Sequence, residues 1–239
     1  MENYMNYLRN SLALVLVLVG AGTYAQSAAA IGGAWEMKDG DKTSVLIFQD
    51  NYFTESIFKS NEYVKSFGGP FKVNGSELEI NLEFDSENNA RVGSKLNGKI
   101  AIDGDQLTIT QEGKTKTWKK TDHGDAPLAG VWHITERMQD GNLVAIHQSG
   151  TRKTLKVLTE DRFQWFAIDA GTKQFSGTGG GTYTFENGKY TENIEFFSRD
   201  NSRVGASLSF DGELKGGKWH HSGLSSKGDK IYEVWSRVE

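Results

Sequence analysis

The octapeptide NARVGSKL at residues 89–96 returns as NSRVGASL at 201–208, an offset of 112 residues. The same offset pairs Gly68-Gly69 with Gly180-Gly181, Asn81 with Asn193, and Glu83-Phe84 with Glu195-Phe196. GGAW at 32–35 answers AGVW at 129–132, and TWKK at 117–120 answers VWSR at 234–237. Anchors recurring in one order describe two tandem copies of a single unit, 31–121 and 128–239, joined by the linker DHGDAP. The spacing also differs between copies. Trp35 and Trp132 are 97 apart, whereas Phe53 and Phe163 are 110 apart, so the second copy has gained residues within ERMQDGNLVAIHQSGTRK. A smaller gain falls in SGLSSKGDK. Loops at a barrel mouth are where binding specificity is usually built.

Each copy reads as about eight short strands, because turn dipeptides separate alternating segments such as VNGSELEI, IDGDQLTI and FENGKYTENI. In the first copy the expected strands are approximately 33–38, 43–49, 52–58, 67–73, 77–84, 91–102, 106–111 and 115–120. The 28 glycines and two prolines fit many tight turns. The expected fold is all-β, two small antiparallel up-and-down barrels, since closure removes exposed sheet edges; an open sandwich is the competing solution.

Residues 1–25 have the order of a secretory signal peptide. Arg9 precedes the apolar run SLALVLVLVGAG, and Ala25 offers a small residue for cleavage. The run is too short for a comfortable membrane span, and no later run approaches one. The chain has no cysteine, which excludes a lipidated bacterial anchor and leaves stability to packing. A secreted or periplasmic location is expected. The net charge of −4 argues against nucleic acid as a partner.

The Gly-x-Trp at each first strand, Gly33-Ala34-Trp35 and Gly130-Val131-Trp132, resembles the opening signature of lipocalins and other calycins. That resemblance implies a basic residue of the last strand packed across the tryptophan: Arg237 in the second copy, Lys119 or Lys120 in the first. GGGTYTFENGKYTENIEF and KWHHSG…KIYEVWSRV make the second copy similar to lipocalin-like domains of secreted bacterial proteins. The later lipocalin loop motif and C-terminal helix are absent, so the resemblance implies a fold and no particular chemistry.

Period-two alternation in ELEINLEF places Leu78, Ile80, Leu82 and Phe84 inward. Carried to the second copy, the inward set is Tyr190, Glu192, Ile194 and Phe196. QLTIT likewise carries Leu107 and Ile109 onto Trp219 and His221, with His220 facing out. Adjacent strand residues point to opposite faces, so the two histidines do not share a metal. Asn81, Asn193, Glu83 and Glu195 fall outward, where solvent exposure is the first expectation and an inter-barrel contact the second.

Neither a nucleophile elbow nor a phosphate loop occurs, and no cofactor is implied. The candidate site is therefore in the second barrel. Glu192, His221 and Tyr190 would fix the polar end of a small amphipathic or apolar molecule, and Trp165, Trp219 and Phe196 would cover its body. The first barrel is expected to be mainly structural. Two other readings stay open: a satisfied internal pair of Glu192 and His221, and a protein-interaction module using the longer second-copy loops. A lesser one is an enzyme with Glu192 and His221 as acid–base pair.

Overall fold

The computed structural model describes residues 30–146, 150–225 and 228–238. The expected signal peptide, 1–25, and the tips of the two lengthened connections lie outside the described residues. Strands β1 (Gly33–Asp39), β2 (Lys42–Gln49), β3 (Tyr52–Lys59), β4 (Glu62–Asn74), β5 (Glu77–Asn81), β6 (Phe84–Asp85), β7 (Lys95–Asp103), β8 (Gln106–Gln111) and β9 (Lys114–Asp122) build the first sheet. The second contains β10 (Gly130–Gln139), β11 (Asn142–Ala145), β12 (Arg152–Leu158), β13 (Arg162–Asp169), β14 (Gln174–Glu186), β15 (Lys189–Phe197), β16 (Ser207–Lys215), β17 (Lys218–Leu224) and β18 (Lys230–Arg237).

Paired strands are antiparallel, and each sheet closes on itself, through β1–β9 with β3–β4 in the first and β10–β18 in the second. The result is two closed eight-stranded barrels in tandem, not an open sandwich. Turn chemistry sets the register locally. Asn187 and Gly188, both at positive φ (51° and 75°), make the two-residue turn between β14 and β15. The residues gained in the second copy supply β11, which pairs with the outer end of β10.

The repeated octapeptide is a connection, with β7 starting at Lys95 instead of 91. A 3-10 turn runs over Asn89–Arg91 and again over Asn201–Arg203, capped by the side chains of Asn88 and Asp200. Gly93 and Gly205 come next at φ 89° and 85°, a conformation that favours glycine. Their amides donate to the carbonyls of Leu82 and Ile194, returning the chain to the barrel wall.

The glycine pairs explain a departure from simple alternation. A Cβ on Gly69 would fall on the Asn81 carbonyl oxygen, and one on Gly181 on that of Asn193. At this close approach β15 shifts register against β14, Gly181 opposing Ile194 but Gly180 opposing Phe196. The extra residue, Glu195, reverses the facing of the residues after it. Phe196, expected inside the second barrel, therefore points out of it, and Phe84 does the same in the first.

These two rings help to join the barrels. Phe84 stacks on Phe166 (centroids 4.6 Å apart), Phe166 on Tyr52 (5.6 Å), and Phe58 on Phe196 (5.1 Å). Val45 and Ile47 of β2 and Leu155 and Val157 of β12 belong to the same apolar cluster. Glu83 and Glu195 lie at this seam. Lys153 bridges to Glu83 at 2.7 Å, and the Arg162 guanidinium spans Glu36 of the first barrel (2.7 Å) and Glu195 (2.6 Å). The buried Asp122 carboxylate accepts from the Ala34 amide at the first barrel's end and from the Thr159 hydroxyl of the second.

Phe166 is fully buried in this seam. Phe166→Ala is expected to cost about 3–5 kcal/mol. Urea unfolding checks it: the parent should unfold in one step, and the variant at lower urea in two, as the barrels uncouple.

Candidate functional site

The two first-strand tryptophans show how alike the barrels are at the closed end. Each indole Nε1 donates 2.8 Å to a backbone carbonyl four residues back, Trp35 to Ile31 and Trp132 to Leu128. A cation from the last strand covers each ring: Lys120 at 4.8 Å over Trp35 and Arg237 at 4.4 Å over Trp132. Lys120 takes the place in the first copy; Lys119 is exposed. Gly33 and Gly130 leave room for the neighbouring chain. A side chain on Gly33 would collide with the Asp122 backbone, and one on Gly130 with the Arg237 guanidinium.

Above this end the interiors differ. In the second barrel Tyr190, Trp219, Glu192 and His221 all point inward and are buried. Glu192 and His221 do not bond to each other. Glu192 Oε1 accepts from Lys156 Nζ at 2.7 Å and from the Tyr190 hydroxyl at 3.0 Å. The Lys156 ammonium lies 5.0 Å from the Tyr190 ring centroid, 5.1 Å from Trp219 and 5.4 Å from Trp235. A buried ion pair is tolerable only when hydrogen bonds and ring faces replace lost water, and these neighbours do so.

Lys156 is a site residue that the alternation pattern did not reveal. The signal was present: the 110-residue spacing of Phe53 and Phe163 carries TSVLIF onto KTLKVL and puts Lys156 at the inward position of Leu46. Pairing β10 with β12 gives the same equivalence, Trp132 opposing Lys156 as Trp35 opposes Leu46.

His221 packs among Phe210 (4.3 Å), Trp219 (5.3 Å) and Tyr190 (5.6 Å). Its Nδ1 is 3.5 Å from Glu233 Oε2. Burial, with Lys156 nearby, pushes the imidazole below its ordinary pKa. Burial would raise the Glu233 carboxyl, but His221, Lys156 and the Trp235 indole together hold it below the usual range. His220 faces outward and bonds the Tyr232 hydroxyl (2.9 Å), so the adjacent histidines do separate. Trp165 turns inward near the open end, against Phe197.

Among the described residues, two cavities lie inside the first barrel. An inner cavity of about 50 Å³ lies among Leu46, Leu78, Ile80, Ile109 and Trp118. A mouth cavity of about 260 Å³ shares Glu55, Phe67, Ile109, Gln111 and Trp118 with it and is rimmed by Lys65, Arg91, Lys114 and Lys116. The second-copy equivalents of Leu46, Leu78, Ile80 and Ile109 are Lys156, Tyr190, Glu192 and His221. Longer and polar side chains thus occupy the corresponding space. A second exchange lies nearer the mouth. Glu55 and Phe67 correspond to Trp165 and Gly179, and the Trp165 indole lies against Gly179 where the first barrel has the Phe67 ring.

Glu55 is the acid of this cavity. Its Oε1 accepts from Ser44 Oγ (2.8 Å), and Ser44 accepts in turn from Trp118 Nε1 (3.0 Å). Burial raises the Glu55 carboxyl, against the opposing effects of Ser44, Lys116 and Lys65. Among the described residues no three histidine or carboxylate side chains come together as a metal site.

Two measurements test this electrostatic account. Glu192→Ile alone strands the Lys156 charge and should cost about 3–5 kcal/mol in urea unfolding, while Glu192→Ile with Lys156→Leu should recover most of that loss. For Glu55, a raised folded pKa means that ionisation opposes folding. Stability should fall as pH rises from the ordinary carboxylate range through the folded value, and Glu55→Gln should remove that decline. Melting temperature between pH 4 and pH 8 reads the difference.

No protein-family model matches the chain, and no curated protein matches it either.

Proposed function

We propose that this is an exported, lipocalin-like binding protein that holds a small amphipathic molecule in the mouth of its first barrel. The observation that carries the reading is the pair of cavities that share a wall above an apolar floor, with the Glu55 carboxyl in that wall. Largely apolar concavities with a few placed polar groups are the usual form of a small-molecule site. The volume suits a ligand of modest size. Export rests on the order of the N-terminal segment, Arg9, the apolar run and Ala25.

The reading moves the site away from Glu192. That carboxylate is engaged by Lys156 and Tyr190, and Trp219 and Tyr190 are packed against each other at 4.9 Å. These contacts favour a filled second barrel that serves as scaffold, and they give an acid–base role for Glu192 and His221 no support. A second reading, protein interaction through the second-copy loops, is favoured by Met138, Leu143 and Val144. These side chains are exposed on the β10–β11 hairpin, within the segment gained by that copy.

A neutral fluorescent probe, N-phenyl-1-naphthylamine, tests the location. The mature protein should enhance its emission. Ile109→Trp, which fills the space shared by both cavities, should abolish the enhancement while the protein stays folded. The Glu192→Ile, Lys156→Leu pair should leave it intact. Enhancement that survives Ile109→Trp would remove the first barrel as the site, and enhancement lost only in the second-barrel pair would return the site to Glu192.

A further inference from the structure

The inward face of β9 has an unusual composition for a barrel lining. Alternation places Lys114, Lys116 and Trp118 on it, opposite Gln111, Ile109 and Leu107 of β8. Thr115 and Thr117 point the other way and bond Thr110 and Thr108 across the outer surface. Two lysines therefore stand in line above the tryptophan that floors the cavity.

Both stand outside the ion pairs that hold the other cations at the rim. Lys65 is bound to Glu87 and Arg91 to Asp85, each at 2.8 Å. Lys114 and Lys116 have no ion pair among the described residues. The acids facing the same space are Glu55 and Glu112. Glu55 accepts from Ser44 and lies within electrostatic reach of Lys116, whose charge opposes part of the rise that burial causes in its carboxyl. Glu112 sits in the β8–β9 turn, at φ 50°. The cavity thus grades from an apolar floor of Leu78, Ile80 and Trp118 to a cationic lip on one strand. The equivalents of Lys114 and Lys116 in the second copy, Ile231 and Glu233, do not reproduce this lip.

We propose that the ligand of the first barrel is a small amphipathic anion whose charged end lies against Lys114 and Lys116 and whose apolar end enters between Ile80 and Trp118. This rests on the reading of the first-barrel mouth as the binding site. Carboxylate, sulfate and phosphate ends share the chemistry the lip recognises, an oxyanion that two ammonium groups can contact at once. Because the lip is open to water, the attraction weakens as salt rises.

Isothermal titration of the full mature chain with octanoate, octanol and octylammonium at low salt separates the possibilities. Octanoate should bind at least about tenfold more tightly than octanol, as charge-assisted hydrogen bonds are added to the same apolar burial. Octylammonium should bind no better than the alcohol. Lys114→Gln with Lys116→Gln should erase the preference for octanoate and leave octanol unchanged. Lys72→Gln with Lys215→Gln, which removes two charges away from the mouth, should keep it. Equal binding of acid and alcohol, tighter binding of octylammonium, or a preference that survives the Lys114 and Lys116 changes would overturn the anionic ligand. In those cases octanol binding that is lost in Ile109→Trp would still support the site. If neither octanoate nor octanol binds, both proposals fall.

Discussion

One strand in each barrel has to serve two cores, and the rest of the molecule is arranged around that requirement. β4 and β14 pair with strands on either side within their own barrels, yet the next segment must deliver an aromatic ring to the neighbouring barrel. The Gly68-Gly69 and Gly180-Gly181 pairs make this possible, because only a backbone without Cβ lets the next strand approach so closely. The bulge then turns Phe84 and Phe196 outward without opening either barrel. Ion pairs from Arg162 and Lys153 sit beside the ring stacks, so the seam combines apolar burial with directional contacts.

Within that frame the two interiors have diverged while sharing a closed end. The tryptophan, its backbone acceptor and the covering cation are present twice with nearly the same geometry. Farther up, the second barrel replaces aliphatic side chains with Lys156, Tyr190, Glu192 and His221. Lys156, Tyr190 and Glu192 satisfy one another: the carboxylate is held by an ammonium and a phenol, and the ammonium is surrounded by rings. The first barrel keeps smaller apolar linings and so retains free space toward its mouth.

The lining residues in isolation suggest a functional contrast between the barrels. Polar substitutions inside a barrel look like a binding site, because buried charge is costly unless something uses it. Here the user of Glu192 is another residue of the same wall. The barrel with the blander lining holds the two cavities, beside Lys114 and Lys116 of β9.

The two copies, the antiparallel barrels, the turns at Asn-Gly steps and the opposite facing of His220 and His221 are all legible in the amino-acid sequence. Each rests on a short-range rule: φ preferences at turns or strict alternation along a strand. Long-range packing alone makes Phe196 leave the interior, brings Lys156 to Glu192 across 36 residues, and sets Glu83 and Glu195 against basic residues at the seam. A bulge breaks alternation at one residue, and a pairing between distant strands depends on barrel curvature. Cavity volume depends on how all the inward side chains fill the space together, which no single strand specifies.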